Sequence, residues 1–219
     1  MIEMLKGLLA QGGVFIAPLL LVSVMAVAAV IERVVFFVGL ERGGESFRAE
    51  LREHIKKNQV EMAVRWLRGL RGPVPVTALA ALETWPEGRE AAEAAMATRA
   101  RLEAQKLRKF LSFLDTTYSA APLVGLLGTI VGMMSTFRVV AQHLAKDPNA
   151  DTSSVTAGIG EALITTATGI VVAVVCLIFH NIFQAWADTQ MDAAEVVAAD
   201  VIEALAEHRP HRADGGTGR

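Results

Sequence analysis

The chain has few of the residues from which disulfide-stabilised or catalytic soluble proteins are built. Its 219 residues include one cysteine, Cys176, so no disulfide can form within the chain. The sequence contains no Walker loop, no HExxH, no GxSxG and no paired CxxC, and so lacks the familiar signatures of soluble catalysis. Its net charge of -2 gives no reason to expect nucleic acid binding. We therefore expect no enzyme activity, no cofactor and no metal site.

Charge is also missing from three long stretches of the chain. Gly12 to Ile31, Thr116 to Phe137 and Ala162 to Ala187 contain no Asp, Glu, Lys or Arg over 20, 22 and 26 residues. A helix rises about 1.5 Å per residue, so roughly 20 apolar residues cross a bilayer core about 30 Å thick. Nothing alternates as a barrel strand would. The sequence therefore predicts an all-α membrane protein with three transmembrane helices.

The ends of these stretches divide the chain into segments. We expect a periplasmic amphipathic segment at 1–12, transmembrane helices at 13–39, 116–139 and 157–187, a cytoplasmic helical loop at 40–115, a periplasmic loop at 140–156, a cytoplasmic helix at 188–208 and a disordered tail at 209–219. Within the loop, amphipathic helices are expected over 44–70 and a further helix over 76–84.

Two of the transmembrane helices are expected to extend into the cytoplasm. Between Arg89 and Pro122 there is no glycine or proline, so the pattern predicts one helix that runs from the loop straight into the second span. The apolar pattern of the third span likewise continues past Asp188 to Leu205. Helices two and three should thus project well beyond the membrane.

Basic residues predict the orientation. Segment 41–115 and the C-terminal tail carry most of the Lys and Arg, whereas only Arg138 and Lys146 lie between the second and third spans and only Lys6 precedes the first. The positive-inside rule therefore places the large loop and the C-terminus in the cytoplasm and the N-terminus outside.

The second and third spans each carry a stripe of small residues. The stripes consist of Gly125, Gly128, Thr129, Gly132 and Thr136 in the second span and of Ala162, Thr166, Gly169 and Ala173 in the third. Such faces let transmembrane helices pack closely, which explains the glycines and alanines. A threonine hydroxyl can also bond to its own backbone four residues earlier. Two threonines at similar depth on small-residue faces nevertheless point towards a shared polar lining.

Glu161 is the one acidic residue near the start of the third span. An intramembrane carboxylate indicates function, although a place near the outer interface would keep it hydrated. Thr166 lies about 140° from Glu161 on a helix that turns 100° per residue, so both cannot face one narrow axis. Glu161 either faces that axis or contacts a neighbouring subunit. His180 and Asn181, near the inner end, are interpreted as interfacial or packing residues.

Two stretches resemble a known family. Ala121 to Met134 (APLVGLLGTIVGMM), with Phe137 following, resembles the second-span signature of the MotA/TolQ/ExbB proton-channel family. Gly158 to Gly169 (GIGEALITTATG) resembles its third-span signature. Three spans with the N-terminus outside are similar to the ExbB/TolQ branch, whereas flagellar MotA proteins have four spans.

This resemblance implies an assembly in the bacterial inner membrane. The family forms homopentamers whose second and third spans line a central pore, which encloses the single transmembrane helices of two copies of an ExbD/TolR/MotB-like partner. The partner supplies the membrane Asp that the middle of these two spans lacks. By motif match, Thr129 and Thr166 correspond to the pore threonines and Glu161 to the third-span glutamate, and all three are expected on the proton pathway that lines the pore. The match favours Thr166 over Glu161 as the residue nearest the partner's Asp.

The resemblance also implies a function. The chain is expected to be a proton-conducting motor (stator) subunit that converts proton motive force into mechanical work on the cell envelope. TonB-dependent uptake, Tol-type envelope maintenance and gliding motility are all compatible with the sequence, and threonine oxygens suit sodium as well as protons. The alternative is a non-conducting membrane scaffold that organises a single-span partner. An intramembrane enzyme is disfavoured because no Ser/His or metal-ligand constellation is present.

Overall fold

The structure, a computed structural model, describes residues 13–40, 43–146 and 153–208. Seven α-helices account for most of these residues: α1 (Gly13–Val38), α2 (Glu45–Lys56), α3 (Val60–Arg68), α4 (Pro73–Thr84), α5 (Arg89–Leu107), α6 (Leu111–Lys146) and α7 (Ser153–His208). A short 3-10 helix, Trp85–Glu87, follows α4. The expected amphipathic segment at 1–12 and the expected tail at 209–219 lie outside the described residues.

Three of the helices are long and apolar enough to cross a membrane. The candidate spans are Phe15–Val38 in α1, Leu111–Ala145 in α6 and Val155–Glu207 in α7. They leave large apolar side chains exposed, such as Leu123 and Met134 of α6. The all-α fold with three candidate membrane-spanning helices agrees with the sequence prediction.

The chain divides into two compact units. The membrane unit comprises the described parts of residues 1–33 and 110–183, and the helical unit comprises those of 34–109 and 184–219. The membrane unit therefore contains α6 and most of α1, together with the first half of α7. The helical unit contains α2 to α5 and the second half of α7.

The helical unit has its own hydrophobic core. Phe47, Leu51 and Ile55 of α2 and Ala63 and Leu67 of α3 are buried, as expected for amphipathic helices over 44–70. The core continues in the other helices of the unit with Val74, Ala78, Ala81, Leu82, Ala92, Met96, Ala194, Val197, Val201, Ile202, Ala204 and Leu205. Apolar burial of this extent stabilises a small helical unit without any disulfide.

The helix expected over 76–84 begins three residues earlier. Helix α4 starts at Pro73, where a proline is favourable because the first helical N–H has no partner within the helix. Gly72 precedes it with φ 123°, a backbone conformation that glycine adopts readily and other residues rarely do. The Arg71-Gly72-Pro73 turn thus starts the helix directly.

The prediction of one uninterrupted helix from Arg89 into the second span is wrong. Helix α5 ends at Leu107 and α6 begins at Leu111, with a turn at residues 108–110. Phe110 has φ 65°, which is incompatible with a continuing right-handed helix and uncommon for a bulky residue. The Phe110 carbonyl then accepts hydrogen bonds from the N–H groups of Phe113 and Leu114, and so starts α6 afresh.

Helices α6 and α7 extend into the segment expected as a periplasmic loop at 140–156. Helix α6 continues to Lys146 and α7 begins at Ser153. Helix α7 then continues without interruption to His208. The two stripes of small residues therefore lie well inside long regular helices.

Candidate functional site

Helices α6 and α7 approach each other backbone to backbone where two glycines face each other. A Cβ atom added at Gly169 would lie 2.6 Å from the Ala121 carbonyl oxygen and 3.1 Å from the Cα of Gly125. A Cβ atom added at Gly125 would lie 3.1 Å from both the Cα of Thr166 and the Thr165 carbonyl oxygen. The backbones of α6 and α7 are in direct contact here, so only glycine, which has no side chain, fits.

The remaining small residues continue this contact in an antiparallel register. Gly132 of α6 faces Ala162 of α7, at 3.3 Å from an added Cβ to the alanine Cβ, and Thr136 faces Gly158. Ala162 and Ala173 are buried. The structure thus brings the two stripes identified in the sequence together, each against the other.

Thr129 and Thr166 meet in the middle of this contact. Their hydroxyl oxygens lie within hydrogen-bonding distance of each other. The Thr166 hydroxyl donates to the Gly125 carbonyl at 3.0 Å, and the Thr129 hydroxyl can donate to the same oxygen at 3.2 Å or to the Ala162 carbonyl at 3.4 Å. Two hydroxyls on facing helices therefore share one backbone acceptor.

This arrangement offers more hydrogen bonds than two protons can make at once. Each hydroxyl has one proton to donate and can also accept, and Gly125 offers its carbonyl to both. The pair can consequently exchange donor and acceptor roles without moving either helix. Both threonines are only partly buried, so a neighbouring group can reach them. A hydroxyl that receives one proton while it releases another is what a proton relay requires.

Glu161 is not part of this hydroxyl pair. Helix α7 is regular between Glu161 and Thr166, so the separation of about 140° between their side chains holds. Glu161 is partly exposed, and its carbonyl accepts a hydrogen bond from the Thr165 hydroxyl at 3.2 Å. The carboxylate therefore points to another side of α7 than the threonine pair.

Thr165 is a contact residue that the sequence interpretation missed. Only 2% of it is exposed, and its Cγ2 atom would lie 2.5 Å from a Cβ added at Gly128. A Cβ there would also lie 3.2 Å from the Cβ of Phe15 in α1. The sequence shows only that Thr165 follows Glu161 by four residues, which places the two on one face of the helix. Because Gly128 has no side chain, Thr165 of the neighbouring helix fits against it.

Thr136 makes a hydrogen bond of a different kind. Its hydroxyl donates to the Gly132 carbonyl, four residues earlier in the same helix, at 2.9 Å. Such a bond needs no neighbouring helix, and it leaves both the hydroxyl oxygen and the methyl group of Thr136 against Gly158. Thr136 therefore belongs to the packing of the two helices, whereas Thr129 and Thr166 join them through their hydroxyls.

The sequence of this helix pair lies within a region that matches a known family. A sequence model of the MotA/TolQ/ExbB proton channel family matches residues 74–196, more than half of the chain. The chain belongs to this family. The matched region includes Thr129, Glu161 and Thr166 and both stripes of small residues. The family named from the two signatures is confirmed, and with it a channel-type membrane protein of several spans rather than a member of an enzyme family.

Several proteins of the family are similar over much of the chain. An ExbB-like 3 biopolymer transport protein of Synechocystis is 32% identical over 173 residues, covering 79% of this chain and 81% of the relative. An ExbB-like 1 protein of the same organism is 29% identical and covers 87% and 75%. The Tol-Pal system protein TolQ of Pseudomonas aeruginosa is 37% identical over 112 residues, covering 51% and 46%.

Proposed function

We propose that this chain is the proton-conducting subunit of an inner-membrane motor that converts proton motive force into mechanical work on the cell envelope. The observation that carries the proposal is the hydroxyl pair of Thr129 and Thr166, held on facing helices by the shared Gly125 carbonyl. Membership of a proton channel family supports it, because the pair lies inside the matched region. The pair can pass a proton without any titratable group of its own.

The motor consists, in this proposal, of five copies of the chain around two copies of an ExbD/TolR/MotB-like single-span partner. The N-terminus lies in the periplasm, and residues 40–115 and 188–208 lie in the cytoplasm, as the distribution of Lys and Arg favours. The partner contributes a membrane Asp, because the middle of the second and third spans has no acidic residue. Thr166 lies nearest that Asp, and Glu161 lies away from it.

The proposed mechanism follows from the cost of a charge in a membrane. An ionised Asp inside a narrow apolar pore is unfavourable, and hydrogen bonds from threonine hydroxyls lower that cost. When a proton neutralises the Asp, the hydrogen-bonding preference of the carboxyl group changes. Five nearly equivalent threonine pairs then differ in how well they suit the Asp, and proton flow favours rotation of the pentamer in one direction.

The work that the motor performs differs between branches of the family. The relatives include ExbB-like biopolymer transport proteins and a TolQ protein of the Tol-Pal system. TonB-dependent uptake, Tol-type envelope maintenance and gliding motility each remain compatible with the proposal. Threonine oxygens also suit sodium, so the coupling ion is part of what the experiment has to determine.

One observation favours a second candidate, a non-conducting scaffold. The hydroxyls of Thr129 and Thr166 each have a backbone carbonyl acceptor on α6 or α7, as those of a purely structural threonine pair would. A scaffold would use α6 and α7 only to hold a single-span partner in place. Its threonines would matter for assembly and not for ion flux.

A flux experiment separates the two candidates. The chain is co-expressed with a single-span protein of the ExbD/TolR/MotB type, and the purified complex is placed in vesicles that contain a pH-sensitive dye. We expect Thr166→Val to reduce proton influx at least tenfold at unchanged stoichiometry, which native mass spectrometry verifies. Repeating the assay with a sodium gradient and a sodium-sensitive dye identifies the ion.

Thr168→Val is the matched control. Thr168 lies on the same helix, and its hydroxyl donates at 2.8 Å to the Ile164 carbonyl of that helix rather than to α6. The proposal predicts near-normal flux for this variant. Unchanged flux in Thr166→Val would contradict the role given to the threonine pair. A wild-type complex that conducts no ions, together with a loss of assembly in Thr166→Val, would support the scaffold instead.

A further inference from the structure

A tyrosine and a histidine meet in the membrane unit, well away from the threonine pair. The rings of Tyr118 in α6 and His180 in α7 lie 5.7 Å apart between centroids, with their planes tilted by 57°. Both side chains are partly buried, and Tyr118 is the chain's single tyrosine. Asp115, one helical turn before Tyr118, interacts with the tyrosine side chain. Titratable side chains of α6 and of α7 therefore lie close together at one depth of the membrane unit.

This cluster lies on the same faces of α6 and α7 as the threonine pair. Tyr118 precedes Thr129 by 11 residues, which corresponds to about 20° around the helix and about 17 Å along it. His180 follows Thr166 by 14 residues, or about 40° around and about 21 Å along α7. Because the helices are antiparallel, both displacements lead to the same end of the unit.

The Asn181 side chain lies beside the His180 ring. The ring Nδ1 is 3.4 Å from the Asn181 side-chain oxygen, and whether it donates there depends on the tautomer of the ring. In either neutral tautomer one ring nitrogen carries a proton and the other has a lone pair that accepts one.

We propose that His180, with Tyr118 beside it, is a second proton-transfer site of the channel. Along α7 it lies beyond Thr166, on the side of the threonine pair away from Glu161. This inference rests on the proposed conduction of protons. It assigns a transfer role to a histidine that the sequence pattern alone suggested to be an interfacial or packing residue, and to the tyrosine beside it.

The transfer step leaves the charge of the site unchanged once it is complete. A proton binds to the ring nitrogen that has the lone pair and forms an N–H bond, and the N–H bond on the other ring nitrogen then breaks and releases its proton to water. The ring is left as the other tautomer and returns to the first by exchanging both protons with water. The Tyr118 hydroxyl can donate one proton and accept another, so it can relay protons through water beside the ring without becoming charged. Between the two levels, small residues such as Ala121 and Ala173 line the facing helices.

Two substitutions distinguish proton transfer from ring packing. His180→Phe keeps a ring beside Tyr118 but removes both nitrogens, whereas His180→Ala removes the ring and leaves room for free imidazole. A membrane-interface anchor would tolerate phenylalanine, which packs as well as histidine at such a level. A proton-transfer residue would not.

The assay uses the complex with its single-span partner in dye-loaded vesicles. We expect His180→Phe and His180→Ala each to lower proton influx at least tenfold at unchanged stoichiometry. Added imidazole should restore the flux of His180→Ala to within threefold of the wild-type value and leave His180→Phe low. Vesicles that contain the Thr166→Val complex are the control for imidazole. Any proton influx that imidazole adds in these vesicles is carried across the bilayer by imidazole itself. His54→Phe, the same change in the helical unit, should conduct normally.

The outcomes separate this inference from the function on which it rests. Normal flux in His180→Phe overturns the inference and leaves the proton channel standing. A loss of flux in His180→Ala that imidazole does not restore also overturns it, because the ring would then be structural. If the wild-type complex conducts no protons at all, the proposed function fails, and the inference fails with it.

Discussion

The Cα of Gly125 lies 3.1 Å from the position that a Cβ of residue 169 would occupy, so Gly125 and Gly169 set the distance between α6 and α7. The same close approach allows the Thr166 hydroxyl to reach the Gly125 carbonyl at 3.0 Å. Packing and chemistry therefore depend on each other at this site. A change that separates the helices should affect both.

Gly169→Ala is expected to destabilise the membrane unit. The new Cβ would lie 2.6 Å from the Ala121 carbonyl oxygen, which is backbone and cannot move aside cheaply. Overpacking of this kind costs about 1–3 kcal/mol. Thermal unfolding of the purified complex should show a lower midpoint than wild type. Gly160→Ala is the control, because a Cβ there would have nothing within 4 Å, and alanine suits a helix better than glycine. An equal loss in both variants would show that the close approach is not the cause.

The double variant of Thr129→Val and Thr166→Val should conduct no worse than the poorer single variant. The two hydroxyls contact each other and share the Gly125 carbonyl, so each substitution already disrupts the same unit. Residues that act as one unit have non-additive effects. The measurement is the initial rate of proton influx for both single variants and the double variant. Losses that multiply would mean that the threonines act independently.

Serine at either position provides a check on the assignment to the hydroxyls. Thr129→Ser and Thr166→Ser keep the oxygen and remove a methyl group, so they should retain most of the flux that valine abolishes. A similar loss with serine and with valine would attribute the effect to packing by the methyl group.

The spans and the helix pair could be predicted from the sequence because their signals are local and repeated. The length of the uncharged stretches identifies the spans, and small residues at helical spacing indicate which faces of α6 and α7 meet. The break at Phe110 could not be predicted, since a phenylalanine with φ 65° has no sequence signal of the kind that glycine or proline gives. The role of Thr165 against Gly128 was hidden for another reason. It depends on which residues of two antiparallel helices are level with each other, and the sequence of each helix alone does not contain that register.

The stability of the helical unit should depend on pH through Glu53. A hydrogen bond from Lys57 at 2.5 Å, together with its charge, lowers the pKa of the Glu53 carboxyl. Because the pKa is lower in the folded protein, the pair stabilises the fold above the ordinary carboxyl pKa, and this contribution is lost as pH falls through the lowered value. Glu53→Gln should therefore unfold at a slightly lower temperature than wild type at pH 7. The difference should be small, since both groups are exposed, and should vanish in acid.

Measuring both midpoints between pH 7 and pH 3 tests this dependence. Lys57→Met should behave like Glu53→Gln at neutral pH, because either change removes the pair. A difference that grows as the pH falls would contradict the assigned direction of the pKa shift. High salt should reduce the difference at pH 7, as it does for other exposed ion pairs.

A compensating pair of substitutions tests the contact between Gly128 and Thr165. In Gly128→Ala the new Cβ would lie 2.5 Å from the Thr165 Cγ2 atom, so we expect a lower unfolding midpoint and weaker assembly. Thr165→Ser removes that methyl group and keeps the hydroxyl that donates to the Glu161 carbonyl. The double variant should therefore recover a large part of the loss, although the contact with the Cβ of Phe15 at 3.2 Å remains. A double-mutant cycle on unfolding midpoints measures the recovery. If the two losses simply add, Gly128 is required by Phe15 or by the helix itself, and not by Thr165.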